Sequence, residues 1–439
     1  MRTQIFQVST LYGAATLAAA VDAGLFGPRD GARRLLLLSH NAEIPETALR
    51  LEEMTGYARL AARFDGVIDW NETIRPHHPG TWAPRPEEAP LWQRVLRTAW
   101  DLDDAPVELI VESIQVNPAR ALAASFAESA VQVYADGLMS YGPTRDELPQ
   151  SIACRVQRLL HLDLVPGLRP MLLTEYGVEA ELVPDDAFRA VLAEIAAAAE
   201  GDPQVDRAVA AAPTALLLGQ YLAALGILTA DEEEELHVRM LRSAAAAGHT
   251  SVVFKPHPTA PARYSRALEE AAEAAGTRLA VLDGPLLAET FYERCRPRLV
   301  VGCFSTAMLT ASVYYDVPIA RVGTRTVLER LTPYENSNRV PLTIVDHLVP
   351  DLEAGATPAV PGAAPASLTG LVRAVGYCMR PTGHPGLREE VAGRLPALTG
   401  DPRTAHCFPA ERLTELGLPG GSSPRQRGRL LGRAARTAG

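Results

Sequence analysis

No apolar stretch of this 439-residue chain approaches the ~20 residues that a membrane-spanning helix requires, so the sequence predicts a protein that is soluble or only peripherally attached. Cysteine is scarce and scattered. Cys154, Cys295, Cys303, Cys378 and Cys407 are odd in number and lack CxxC spacing, which argues against a disulfide framework or a zinc site and fits a reducing cytoplasm. An excess of basic charge is also missing. The formal net charge of −10 excludes a general nucleic-acid-binding role, because such proteins carry a basic footprint that neutralises phosphates. Any anion site must therefore be local.

What is present is an ordinary globular composition, 47% hydrophobic and 21% charged. At roughly 100–200 residues per domain, the length predicts two large domains, and two lobes make a cleft. The Ala-rich stretch Leu11–Phe26 behind Arg2 has a superficial likeness to a signal peptide. Thr3, Gln4, Gln7, Ser9 and Thr10 precede it and Asp22 interrupts it, so it reads as the first strand and helix of the fold.

Gln4–Ser9 alternates, an Ala/Leu helical pattern follows, and Leu35–Leu38 is a continuous apolar run, which together make a β-α-β opening. Further strands are expected at Gly66–Asp69, Pro106–Val111 and Ala130–Tyr134, with helices at Pro90–Leu102 and Asn117–Glu128. Arg155–Ala212 reads as mainly helical up to Gly201-Asp202-Pro203 and Pro213. Regular alternation then restarts, with strands at Ala215–Leu218, Ser251–Phe254, Leu279–Leu282 and Arg298–Val301 and helices between them, as in a second doubly wound domain. Ser9-Thr10 and Ser305-Thr306, each after a strand and before a small-residue helix, form a weak echo between the halves.

The predicted boundaries are 1–210 for a first Rossmann-like domain and 211–350 for a second. Residues 351–418 form a linker (Leu352–Ser367 being Ala/Pro/Gly-rich) and bracing helices, and 419–439 a disordered basic tail. Arg425, Arg427, Arg429, Arg433 and Arg436 in that tail make it a solvated end, or a weak peripheral tether to an anionic inner membrane face.

The chemistry sits at strand ends. His-Pro occurs three times, at His78-Pro79, His257-Pro258 and His384-Pro385, but only His257 follows a strong buried strand and has Lys255 beside it. In open α/β sheets ligands bind beyond the carboxyl ends of the strands, and a cation with an imidazole there suits a phosphate. Ser129–Tyr134 runs into Ala135-Asp136-Gly137, delivering a carboxylate to another strand end beside a glycine that permits close approach. Leu299–Phe304 runs into Ser305-Thr306 at a helix start, where free N–H groups and hydroxyls favour an anion; plain N-capping explains the same residues. Asp231–Glu235 reads as acids at a helix start.

These residues resemble a family. YADG (Tyr134–Gly137), FKPHP (Phe254–Pro258) and FSTAM (Phe304–Met308), in that order, are similar to the acidic-Gly, His-Pro and Ser/Thr motifs of bacterial sialyltransferases, especially the polysialyltransferase-like group. The segment Pro333–Pro341 is similar to the end of that family's donor domain, and the resemblance spans most of Thr3–Asp346. It implies the α/β fold called GT-B, two Rossmann-like doubly wound domains facing a central cleft. It also implies inverting transfer of sialic acid, or a related acidic nonulosonic sugar, from a CMP donor to a glycan hydroxyl, with no cofactor and no essential metal.

Carried over by motif, Asp136 is the base, His257 meets the departing phosphate, and Ser305 and Thr306 hold it, with Lys255 and Pro258 on the donor side. Gln220, Glu289, Glu335 and Arg339 are further donor-binding candidates, Glu289 and Glu335 being equally well read as solvated surface groups. The family usually has two acids before the glycine, and here the first is Ala135, which leaves the tuning of Asp136 open. Two rivals stay open: a capsule- or teichoic-type polymer transferase using CMP-Kdo or CDP-glycerol, and a catalytically inactive nucleotide-sugar-binding protein.

Overall fold

The computed structural model describes residues 2–42, 45, 49–257 and 263–421. Short apolar runs form two separate parallel sheets. The first has seven strands: β1 (Arg2–Val8), β2 (Ala32–Leu38), β3 (Gly66–Asp69), β4 (Val107–Val111), β5 (Ala130–Ala135), β6 (Val156–His161) and β7 (Glu179–Leu182), in the order β3-β2-β1-β4-β5-β6-β7. The second has five: β8 (Ala215–Leu218), β9 (Ser251–Lys255), β10 (Arg278–Val281), β11 (Leu299–Gly302) and β12 (Ile319–Arg321), in the order β10-β9-β8-β11-β12. Every pairing is parallel, which requires helical crossovers and buries both faces of the central strands. Leu35–Leu37, Leu216–Leu217, Val252–Phe254 and Leu299–Val301 are each at most 2% exposed.

Two doubly wound domains facing one another make this a GT-B architecture. The helices Leu11–Asp22 and Asp185–Ala198 pack together, and the latter also packs on the helix Ala288–Cys295 of the second domain. Tyr12, Phe188 and Tyr314 continue the contact as a ladder of rings, with centroids 5.4 Å and 5.2 Å apart, and one apolar core runs through both domains. No described helix is long and apolar enough to cross a membrane.

Three expectations change. The region read as mainly helical contains β6 and β7, because Val156–His161 and Glu179–Leu182 are interrupted by polar residues and carry little apolar signal. The Ala/Pro/Gly-rich segment is not a loose linker. Ile319 N–H donates to Ala359 O at 2.9 Å, Leu352 N–H to Arg321 O at 3.0 Å, and Ala364 N–H to Pro166 O of the first domain at 2.7 Å. The helix Ala366–Met379 then returns to the first domain, where Arg380 binds the carbonyl of Thr144. Finally, the Ser-Thr echo is not a repeat: Ser9 follows the central strand β1, whereas Ser305 follows β11, whose counterpart is β4.

Candidate active site

In each sheet the strand order reverses at one point, between β1 and β4 in the first and between β8 and β11 in the second. There the crossovers leave to opposite faces and open a crevice at the carboxyl edge. A side-chain hydrogen bond spans each crevice. Ser9 Oγ donates to Glu112 Oε2 at 2.5 Å in the first, and the Phe304 N–H donates to Gln220 Oε1 at 3.3 Å in the second.

Asp136 follows β5, one strand over from Glu112. Continuing the register Val111↔Val133 places Glu112 opposite Tyr134, and hence on the same face as Asp136 two residues on. Burial raises Asp136 to about 6; burial and the charge of Asp136 raise Glu112 to about 7. Asp136 Oδ2 lies over the first turn of the helix Leu11–Asp22, where a methyl group on Gly13 would stand 3.3 Å from it and 3.0 Å from Tyr134 OH. Glycine there keeps room for the carboxylate. The sequence reading missed Glu112, although it follows the run Val107–Val111 just as Asp136 follows its own strand.

The second domain supplies the opposite charge. Lys255 closes β9 with its ammonium donating to Gly284 O at 3.2 Å; burial lowers it to about 8, against the pull of Asp283 and Glu289. His257 is half-buried, its ring 4.0 Å from that of Tyr221, and burial together with Lys255 lowers it to about 4. The loop carrying Tyr221 is held from behind. Of the acids read as a helix start, Glu232 forms a capping box with Thr229, but Glu233 turns inward and accepts from the N–H groups of Leu222 and Ala223 at 2.7 Å and 3.0 Å.

Ser305 caps the helix Thr306–Tyr315, its Oγ accepting from the Ala307 N–H at 3.3 Å. Thr306 faces the other domain. A methyl group on Gly137 would stand 3.2 Å from Thr306 Oγ1, so the turn bearing Asp136 and the start of this helix meet directly. Nearby, Tyr12 OH and Thr310 Oγ1 bond across the domains at 2.9 Å, a contact that no motif announced.

The remaining candidates divide. Glu289, as readily taken for a surface group, is 3% exposed, with one carboxyl oxygen unpartnered among the described residues. Burial raises it to about 7, with partial relief from Thr310 and Lys255. Gln220 is buried at the crevice. Glu335 and Arg339 belong to another assembly: Glu335 pairs with Arg412 at 2.5 Å, and the Arg339 guanidinium donates to the carbonyls of Tyr334 and Leu331 over the Tyr334 ring. Pro258 lies outside the described residues, as does the basic tail from 422 onward.

The site thus collects a poorly solvated carboxylate pair on one wall, and a lysine, an imidazole, hydroxyls and a helix start on the other. It can take a proton from a hydroxyl and hold a phosphate opposite.

The model of the alpha-2,8-polysialyltransferase family matches residues 4–324. No curated protein matches the chain by sequence. Among solved structures, the UDP-GlcNAc 2-epimerase from Neisseria meningitidis bound to UDP-GlcNAc is similar over 73% of this chain and 82% of that chain, at 12% identity and a TM-score of 0.45. The GT-B domain of a sialyltransferase from Photobacterium damselae is similar over 79% and 96%, at 11% identity and a TM-score of 0.41. MurG from Acinetobacter baumannii is similar over 84% and 90%, at 10% identity and a TM-score of 0.40.

Proposed function

The chain belongs to the alpha-2,8-polysialyltransferase family, and on that premise we propose that it is an inverting, metal-independent glycosyltransferase moving sialic acid, or a related acidic nonulosonic sugar, from a CMP donor to a glycan hydroxyl. Asp136 takes the hydroxyl proton, and the freed oxygen attacks the anomeric carbon as its bond to the phosphate breaks and CMP leaves. Raised to about 6, Asp136 is ionised at neutral pH yet more basic than an ordinary aspartate. Glu112 supplies from the next strand the neighbouring carboxylate that Ala135 does not.

The departing phosphate needs positive charge and donors. Lys255, lowered to about 8, still holds its proton at neutral pH, and Ser305, Thr306 and the helix start add hydroxyl and N–H groups. His257, lowered to about 4 by burial and Lys255, serves as a neutral N–H donor until a phosphate beside it raises its basicity. A single phosphate asks less neutralisation than a diphosphate, which fits a site built from one ammonium and neutral donors.

The observation that most supports this reading is the approach of Gly137 to Thr306, which sets the base of one domain against the phosphate-binding groups of the other. The test is release of CMP from CMP-sialic acid with sialylated and galactosyl acceptors. Asp136→Ala and His257→Ala should each lose about 100-fold or more in kcat. Robust turnover by both would falsify the assigned roles, and stronger thermal stabilisation by CDP than by CMP would move the donor to the CDP-glycerol class.

A further inference from the structure

The loop that follows β8 is fastened more firmly than a surface turn requires. Gly219 starts it with its N–H donating to Lys255 O at 2.9 Å, and a methyl group there would stand 3.0 Å from the Phe254 ring and 3.1 Å from Pro256 Cα. The loop therefore runs directly along the strand end that carries Lys255 and His257. Two residues of the helix Ala230–Ala246 reach it from the other side. Glu233 and His237 lie four residues apart and so share a face of that helix, and they are only 1% and 0% exposed.

His237 Nε2 accepts from the Gln220 N–H at 3.4 Å, as a neutral imidazole can, and burial lowers this histidine to about 4. One carboxyl oxygen of Glu233 accepts from the Leu222 N–H, and the other accepts from the Ala223 N–H and from Tyr264 OH at 3.2 Å. A carboxyl group buried this deeply is costly unless donors surround it, and the loop itself supplies two of them. Gln220 Oε1 accepts from the Phe304 N–H, which ties the loop to the end of β11, and Leu222 is buried. Tyr221 stands between these two pinned residues. Its own side chain is 39% exposed, with the ring 4.0 Å from the imidazole of His257 and tilted 32° to it. A flat ring on a fixed loop restricts the orientation of the ring packed against it.

Resting on the transferase reading above, we infer that Glu233 and Tyr221 are positioning residues for the reaction: Glu233 locks the loop, and the ring of Tyr221 holds the imidazole of His257 in the orientation that meets the departing phosphate. The test combines turnover of CMP-sialic acid with the NMR spectrum of the histidine rings, in which the His257 C–H resonances are identified by their absence from His257→Ala. Tyr221→Leu should lower kcat about tenfold with the donor KM within about twofold of wild type. Tyr221→Phe, which keeps the ring, should restore kcat. In the His257→Ala background Tyr221→Leu should cost nothing further, because a residue that acts through the imidazole has no effect once it is gone.

Loss of the shielding ring should move the His257 resonances downfield in Tyr221→Leu. Glu233→Gln turns an NH2 group toward one of the loop N–H groups, and it should shift the same resonances and lower kcat about fivefold. An equal loss from Tyr221→Leu with and without the imidazole, or His257 resonances unmoved in both variants, would overturn the positioning roles. Should Glu233→Gln fail to fold, the Tyr221 variants carry the test, because that side chain is exposed. A wild-type protein that releases no CMP strikes the transferase reading instead, and the resonances still decide whether Glu233 and Tyr221 hold the imidazole.

Discussion

The two walls of the cleft meet the same physical constraint with opposite charges. On the first domain, burial lifts the carboxyls of Asp136 and Glu112 to about 6 and 7; on the second it pulls Lys255 down to about 8 and His257 to about 4. Desolvation penalises whichever form is charged, so acids rise and bases fall, converging on neutrality from both sides. A cleft that is merely poorly hydrated thereby acquires a base and a cation that both work near pH 7. Neither wall needs an unusual residue, only a strand end that is partly closed off.

After the loss expected of Asp136→Ala, the largest effect that tests this contrast comes from its cationic side. Lys255→Met should lower kcat/KM about 10- to 100-fold through loss of a charge-assisted bond to phosphate. The wild-type profile of kcat/KM against pH should rise through about 6, as Asp136 loses its proton, and fall through about 8, as Lys255 does. In Lys255→Met the fall near 8 should vanish; its persistence would show that another group carries it.

On the acidic side, Glu112→Gln should cost about fivefold at pH 8 and almost nothing at pH 6. At pH 6 Glu112 still holds its proton and glutamine imitates it; above 7 its charge makes Asp136 the stronger base. An equal loss at both pH values would reduce Glu112 to a packing role.

A smaller loss, within about tenfold, is expected for Gly137→Ala, whose methyl group presses on Thr306. Activity equal to wild type would mean that the two walls do not work in contact. Asp136→Asn concerns stability and not rate: it removes the base but keeps the side chain's shape. The folded-state value of about 6 lies above the ordinary 3.8, so the stabilising influence of this carboxyl is complete below about 4 and is lost as pH rises through 6. Asparagine removes that loss. Urea unfolding should show the variant about 3 kcal/mol more stable at pH 8 and indistinguishable near pH 4; a destabilised variant at pH 8 would contradict the buried charge.

Much of the frame was legible in the chain. Gly66–Asp69 and Ala215–Leu218 are strands with the predicted ends, and β9 delivers Lys255 and His257 to a sheet edge as its apolar run implied. The strands that escaped, β6, β7 and β12, either carry polar residues or hold only three residues, so periodicity had little to grip. The same limit applied to side chains. Glu289 reads as a surface acid on an amphipathic helix, and only the packing of that helix against its neighbours in the fold buries it.

What the sequence determined by itself is where polar groups stop buried strands. A parallel strand covered on both faces must be a continuous apolar run, so the first charged residue after it marks the sheet edge, as Asp136 and Lys255 do. What only the tertiary structure decided is which of those edges face each other and how dry they are. Glu112 beside Asp136, Thr306 against Gly137 and Tyr12 bonded to Thr310 join residues between 24 and 298 positions apart. Their protonation follows from solvent excluded by the closed fold, a property that no local pattern of residues encodes.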